Sequence, residues 1–283
     1  MDKFNNLLIL TRIHNPIGIF LLLWPTLSAL FMASGGFPNI RVLTIFIFGT
    51  ILMRTAGCVL NDLIDRNLDC FVERTKNRPI ASNLVSPKEA SILLLVLIIF
   101  CFVLVIQLNF MTICIAFIAL MFSLTYPLTK RFFAVPQLYL GITFGFGILM
   151  AFSAVQNKIP TEALILFISN IFWAFAYDSH YAVGDMADDK KINIRSSPLT
   201  FNKKIISIVT LSYFLMFLSL FIIGTLENFS YIYYVLLSLA FVIAMYGCIE
   251  SRHMDAKKNF KAFLRSNYIG MIIFFGFVSQ LHN

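Results

Sequence analysis

Nine apolar stretches run along the chain, near residues 16–34, 40–60, 90–108, 110–126, 132–154, 163–183, 205–225, 229–249 and 263–281. A helix needs about 20 apolar residues to cross roughly 30 Å of hydrocarbon, and each stretch is close to that length. The fourth, FMTICIAFIALMFSLTYP, is the shortest, and a bare Gln107–Asn109 turn ties it to the third. The pattern predicts an all-α, polytopic membrane bundle of about nine transmembrane helices. Trp24-Pro25 marks a kink in the first span, and Gly141-xxx-Gly145 marks close helix packing in the fifth.

Composition agrees. Of 283 residues, 59% are hydrophobic and only 13% charged, where a soluble domain carries about 25%. Mean hydropathy is +0.84. A secreted disulfide scaffold, a disordered tail and an ordinary cytosolic enzyme are excluded. The five cysteines form no CxxC pair and lie mostly within apolar stretches, so neither a disulfide framework nor a zinc site is indicated. No Pro/Gly/Ser linker and no insertion long enough to fold alone divides the chain, so residues 1–283 are expected to form one integral-membrane domain.

The net charge of +8 raises a nucleic-acid partner, but its distribution argues for a lipid bilayer instead. With the N-terminus placed in the cytoplasm, the inner segments 1–15, 61–89, 127–131, 184–204 and 250–265 hold 19 of the 22 Lys and Arg. Cytoplasmic loops collect basic residues in this way. The opening MDKFNN is followed by an apolar run of full span length without a small-residue cleavage site, so no signal peptide is expected. The absence of an Arg/Ser-rich transit segment favours a bacterial inner membrane over a mitochondrial one.

The acids are concentrated too. Eight of the fourteen Asp and Glu fall in two windows: Asp62, Asp65, Asp69 and Glu73, then Asp178, Asp185, Asp188 and Asp189. Each window follows a span and precedes a basic segment. Asp65 and Asp189 are separated by four spans, an even number that puts both windows on one side of the membrane. A weak four-span internal repeat is the expected cause. Ionisable groups at the membrane boundary are costly and mark functional sites.

In N-D-L-I-D-R-N-L-D, Asn61, Asp65 and Asp69 stand four apart and share one helix face. Asp178, Tyr181, Asp185 and Asp189 follow steps of three, four and four, predicting a second stripe. Like charges at that spacing repel unless a cation lies between them. Two facing carboxylate stripes suit a hard cation, and Mg²⁺ typically takes one or two protein carboxylates and bridges to phosphate oxygens. Arg74, Lys76 and Arg78 follow the first stripe, Lys190, Lys191 and Arg195 the second, and Lys130 with Arg131 ends the fourth span. A metal-filled acidic cup ringed by cations suits a diphosphate. Lys88, Lys203, Lys257, Lys258 and Lys261 are assigned to topology alone.

The segment N-D-L-I-D-R-N-L-D-C-F-V-E-R-T-K-N-R-P resembles the first aspartate motif of the UbiA superfamily of intramembrane prenyltransferases, and Y-D-S-H-Y-A-V-G-D-M-A-D-D-K-K resembles its second. P-I-G-I-F-L-L-L-W-P-T and M-R-T-A-G-C-V-L-N-D are similar to the branch that acts on 4-hydroxybenzoate. The resemblance covers essentially the whole chain. It implies that Asn61, Asp65, Asp69, Asp185 and Asp189 hold two Mg²⁺ ions on a polyprenyl diphosphate. It also implies transfer of the polyprenyl group to the 4-hydroxybenzoate ring, ortho to the hydroxyl, in ubiquinone biosynthesis. Two positions depart from the branch pattern: Asn15 stands where a basic residue is usual, and Gly184 and Met186 flank Asp185 where a larger residue and an Arg are common. Lys190 or Lys191 is the expected replacement for that Arg.

Asp178 and Tyr181 are candidates for orienting the acceptor or stabilising the allylic cation, or for bracing the helix end. Arg54 lies seven residues before Asn61, ~10 Å deeper by helical rise. A buried Arg requires an anion. The candidates are the acceptor carboxylate, for which Arg12 is the rival ligand, and an internal salt bridge to Asp62 or Asp178. Other aromatic acceptors remain an alternative within the superfamily. A cation-coupled transporter is the alternative from another class, although transport acids would sit at mid-membrane.

Overall fold

The computed structural model describes residues 3–280, and in them twelve α-helices follow one another without a strand. They are α1 (Lys3–Thr11), α2 (Ile17–Ser34), α3 (Ile40–Asp69), α4 (Pro87–Val105), α5 (Phe110–Thr129) and α6 (Pro136–Gln156). The series continues with α7 (Thr161–Val183), α8 (Met186–Lys191), α9 (Ser197–Phe201), α10 (Ile205–Leu226), α11 (Tyr231–Glu250) and α12 (Ala256–Val278).

Helix starts are fixed by side chains that accept from the otherwise unpaired first amides. Asn39 caps α3, Asn109 caps α5, and Ser86 with Glu89 closes a reciprocal capping box on α4. Asp255 caps α12 through Lys258 N at 2.8 Å. This helix therefore starts about two turns before the apolar stretch expected at 263–281, because hydropathy detects the apolar run and the cap sets the helix. The end of that stretch, from 281 onward, lies outside the described residues.

Among the described residues, eight helices are long and apolar enough to cross a membrane: α2 to α6, and α10 to α12 with α9 continuing into α10. The chain is a multi-pass membrane protein. The expectation of nine spans is met for eight by this measure. The remaining long helix, α7, has 23 residues but carries Asn170, Asp178 and His180, which dilute its apolar content. It is packed between α6 and α10 and against α12.

Two apolar clusters form. The larger joins α2, α6, α7, α10, α11 and α12 through residues such as Leu30, Ile148, Trp173, Tyr213 and Ile269. The smaller joins α1, α3 and α4 with the segment after α3, through Leu10, Val59, Ile80, Val85 and Ala90. In lipid, helices associate by close van der Waals contact and hydrogen bonds. The Gly141 expectation illustrates this. A methyl group there would sit 2.8 Å from Ile171 Cα, and Asn170 Nδ2 donates to Gly141 O at 3.0 Å. The outer faces of α4 and α5 stay open, with Leu95, Phe100, Phe110 and Ile118 exposed as a lipid-facing surface requires.

Candidate active site

At 30 residues, α3 is the longest helix, ~45 Å at 1.5 Å per residue. It outruns the hydrocarbon, so its last turns carry Asn61, Asp65 and Asp69 to the rim of the bundle on one face. Asp62, Asp65 and Asp69 are all buried there. A buried carboxylate is tolerated only when paired, and each of these has a cation. Lys130, the C-cap of α5, pairs with Asp65. Arg78 reaches Asp69 at 2.8 Å and Asp62 at 3.1 Å. Arg12, at the end of α1, also pairs with Asp62. The turn-rich segment that delivers Arg74 and Arg78 is pinned by Thr75 Oγ1, which donates to Asp69 O at 2.9 Å, and by burial of Ile80 and Val85.

The second acidic wall is built differently. The single stripe expected from Asp178 to Asp189 is divided between two helices. α7 stops at Val183, and Asp185 begins α8 with φ −96° and ψ −4°. Gly184 sits at the break, where a glycine disfavours helix continuation by about 1 kcal/mol relative to Ala. Asp178, Tyr181, Asp185 and Asp189 nevertheless line one cavity together with Asn61, Asp65 and Asp69. Arg74 crosses between the walls. Its Nε and Nη2 donate to the two Asp185 oxygens at 2.9 and 2.6 Å, and its guanidinium lies 5.1 Å from the Tyr181 ring. Burial, followed by the charge of Asp185, pushes the Asp189 carboxyl up to about 7.

The cavity has a volume of about 920 Å³, at the upper end for a small-molecule site. Its polar end is the two walls with Arg12, Arg54, Arg74, Arg78 and Lys130. Its other end is apolar, with Phe46 and Met53 of α3, Ile98 and Phe102 of α4, and Phe117 and Leu120 of α5.

Four expected ligands lie outside this cavity. Lys76 is exposed and pairs with Glu73, Lys191 pairs with Asp188 across one helical turn, and Lys190 is exposed. Arg131 donates to Ile64 O at 3.1 Å and stays 3.9 Å from Asp65, on the outer side. The second-motif lysines thus do not replace the Arg missing beside Asp185, whereas Arg74 holds Asp185 directly. Arg195, expected in the ring of cations, does line the cavity, and so do two tyrosines not anticipated as site residues, Tyr126 and Tyr177. Tyr126 stands four before Lys130 and so on its face, a signal that was available. Tyr177 immediately precedes Asp178, and its hydroxyl is buried without a partner.

Arg54 also stands apart. Among the described residues no carboxylate lies within salt-bridge distance of it, so the internal ion pair to Asp62 or Asp178 is not formed. Nη1 donates to Cys58 Sγ at 3.1 Å, and Nε is buried without a partner.

The donor set fits a hard divalent cation. All candidate ligands present oxygen, and Asp65 Oδ1 is buried without a hydrogen-bond partner. Among the described residues no three acidic, His or Cys side chains form a ready-made cage.

Residues 22–268 match the UbiA prenyltransferase family. The chain belongs to this family. It is 47% identical over 271 residues to the 4-hydroxybenzoate octaprenyltransferase of Methylobacillus flagellatus, covering 96% of this chain and 92% of that protein. It is 45% identical to the 4-hydroxybenzoate octaprenyltransferase of Thiobacillus denitrificans, over 95% and 92% of the two chains. The UbiA fold is matched by the apo structure of a UbiA homolog from Aeropyrum pernix K1, with TM-score 0.80 at 21% identity over 93% and 97% of the chains. A UbiA homolog from Archaeoglobus fulgidus bound to GPP and Mg²⁺ matches with TM-score 0.75 at 15% identity, over 98% and 100%.

Proposed function

We propose that this UbiA-family chain transfers a polyprenyl group from polyprenyl diphosphate to 4-hydroxybenzoate, ortho to the hydroxyl, releasing diphosphate, in ubiquinone biosynthesis. The observation that carries this reading is the convergence, in one cavity, of two acidic walls, a ring of cations and an unpaired Arg54 with a long apolar arm. The name shared by the relatives at 43–47% identity supports the acceptor.

Asn61, Asp65 and Asp69 on one wall and Asp185 and Asp189 on the other are the residues that would hold Mg²⁺. When bound, the metal supplies Lewis-acid stabilisation of the departing diphosphate, worth several kcal/mol. Arg74, Arg78 and Lys130 add positive charge fixed before reaction, which costs no reorganisation at the transition state. Arg12 is committed to Asp62 and supports the wall. The carbon–oxygen bond to the diphosphate breaks, and the allylic carbon is attacked by the acceptor ring. The proton on that ring carbon then passes to the released diphosphate and aromaticity returns.

Arg54 receives the acceptor carboxylate, and this choice over Arg12 follows from their partners. Asp178 and Tyr181 orient the ring between Arg54 and the reacting carbon. The apolar arm takes the polyprenyl tail and keeps water from the allylic cation, which it would trap as an alcohol. The clustering of 19 of 22 Lys and Arg in alternate segments supports a polar mouth on the cytoplasmic face, in a bacterial inner membrane. In that arrangement α7 crosses as the ninth span.

Purified protein given 4-hydroxybenzoate, Mg²⁺ and a ladder of prenyl diphosphates tests this directly. Mass analysis should find prenylated 4-hydroxybenzoate and free diphosphate. Solute uptake into sealed vesicles with the prenyl diphosphate left intact would replace the enzyme by a transporter.

A further inference from the structure

The guanidinium of Arg54 is held by neighbours that have no charge of their own, and one of them is an absence. Gly18, at the start of α2, faces Arg54 across the cavity wall. A methyl group on Gly18 would sit 2.5 Å from both Nε and Nη2 of Arg54 and 2.9 Å from Cζ. Those separations are too short for any real contact. The opposite side is closed by Cys58, one turn along α3, whose Sγ accepts from Nη1 at 3.1 Å. The Phe144 ring of α6 lies 6.0 Å from Cζ, at the outer reach of a cation–π contact. All four residues line the cavity.

We propose that Gly18 is a positioning residue for the acceptor site: by lacking a side chain it leaves room for the Nε–Nη2 edge of the Arg54 guanidinium against α2, with Cys58 holding Nη1. The proposal rests on the reading of Arg54 as the receptor for the acceptor carboxylate. Arg54 lines the cavity with no carboxylate partner among the described residues, and a charge-assisted contact with a ligand carboxylate requires a single rotamer. Gly18 and Cys58 select it. The contact on Gly18 comes from the far end of a flexible side chain, so a methyl group there displaces the guanidinium rather than the backbone. The fold is therefore expected to tolerate the substitution while the receptor moves.

The test is a double-mutant cycle on purified protein, read as KM for 4-hydroxybenzoate, KM for the prenyl diphosphate, kcat and thermal stability. Gly18→Ala should raise the acceptor KM about tenfold or more, since ~1 Å of misplacement carries penalties of up to 10²-fold. The diphosphate KM and the melting temperature should stay near wild type. In an Arg54→Ala background the same Gly18→Ala change should add nothing. Cys58→Ala should give a smaller rise in acceptor KM, again absent when Arg54 is absent. Multiplying effects in the double variant, or an unchanged acceptor KM in Gly18→Ala, would overturn the proposal even if Arg54→Ala behaves as expected. If Arg54→Ala itself leaves the acceptor KM unchanged, the carboxylate assignment falls first. If Gly18→Ala lowers stability and both KM values shift together, Gly18 serves helix packing and the proposal is wrong.

Discussion

The two acidic walls have the same chemistry and unlike construction. The first is the end of one continuous helix, with Asp65 and Asp69 at 1% and 6% exposure, each paired with a cation from a different element. The second is broken at Gly184 between α7 and α8, with Asp185 and Asp189 only partly buried and, among the described residues, Arg74 as their one direct ion pair. The difference teaches a division of labour. A buried wall whose carboxylates each have a cation has its geometry set before substrate arrives, and that rigidity is what electrostatic preorganisation requires. The short helix beyond the glycine is held at its start by Arg74 and beyond its end by Arg195, whose amide donates to Lys130 O at 2.8 Å and whose Nη1 donates to Phe132 O at 2.7 Å. Substrate-bridged metal is what would join the two.

The largest effect should come from removing either wall's oxygen ligands. Asp65→Ala and Asp185→Ala are each expected to lower Mg²⁺-dependent transfer by ~10³-fold or more, while membrane insertion and helix content persist. Activity assays beside circular dichroism check both. Stability should then separate the walls. Lys130→Met leaves Asp65 buried with Arg131, 3.9 Å away, as its nearest cation among the described residues, a change expected to cost about 3 kcal/mol, and the melting temperature in detergent should fall accordingly. Arg74→Met breaks a pair whose side chains are 45% and 19% exposed, for which about 0–1 kcal/mol is expected. Similar losses in the two variants would erase the distinction between a buried wall and a partly exposed one.

A smaller, selective effect belongs to the acceptor end. Arg54→Ala should raise the KM for 4-hydroxybenzoate by roughly 10–100-fold, the range of a lost charge-assisted contact of 1.5–3 kcal/mol, with the prenyl diphosphate KM changed much less. Smallest of all should be Lys76→Ala, Lys190→Ala and Lys191→Ala. These side chains sit outside the cavity, and their variants should keep kcat/KM within about twofold, as exposed pairs contribute little.

Much of this arrangement is written locally. The apolar runs mark the helices because lipid imposes a minimum length, and Asn39, Asn109, Ser86 and Asp255 mark their starts because the first amides need acceptors. Asn61, Asp65 and Asp69 could be placed on one face because α3 has no break near its end. What escaped depends on distant residues meeting. Arg12 meets Asp62 across 50 positions and Arg74 meets Asp185 across 111. Only that closure decides which bases enter the cavity and which, like Lys190, remain outside it. Arg54 reads as unpaired only once Asp62 is seen to be taken by Arg12 and Arg78. α7 shows the converse limit. Its polar residues face other helices, so an apolarity count undervalues a helix packed deep in the bundle.

The account stands on the two walls acting together on one metal-bound diphosphate. Mn²⁺ can replace Mg²⁺ as a spin-active reporter, titrated into purified protein with and without an unreactive prenyl thiodiphosphate. Tight, diphosphate-dependent binding in the wild-type chain, lost in both Asp65→Ala and Asp185→Ala, is the predicted result. Equal Mn²⁺ binding in all three proteins, with thiodiphosphate present, would contradict it.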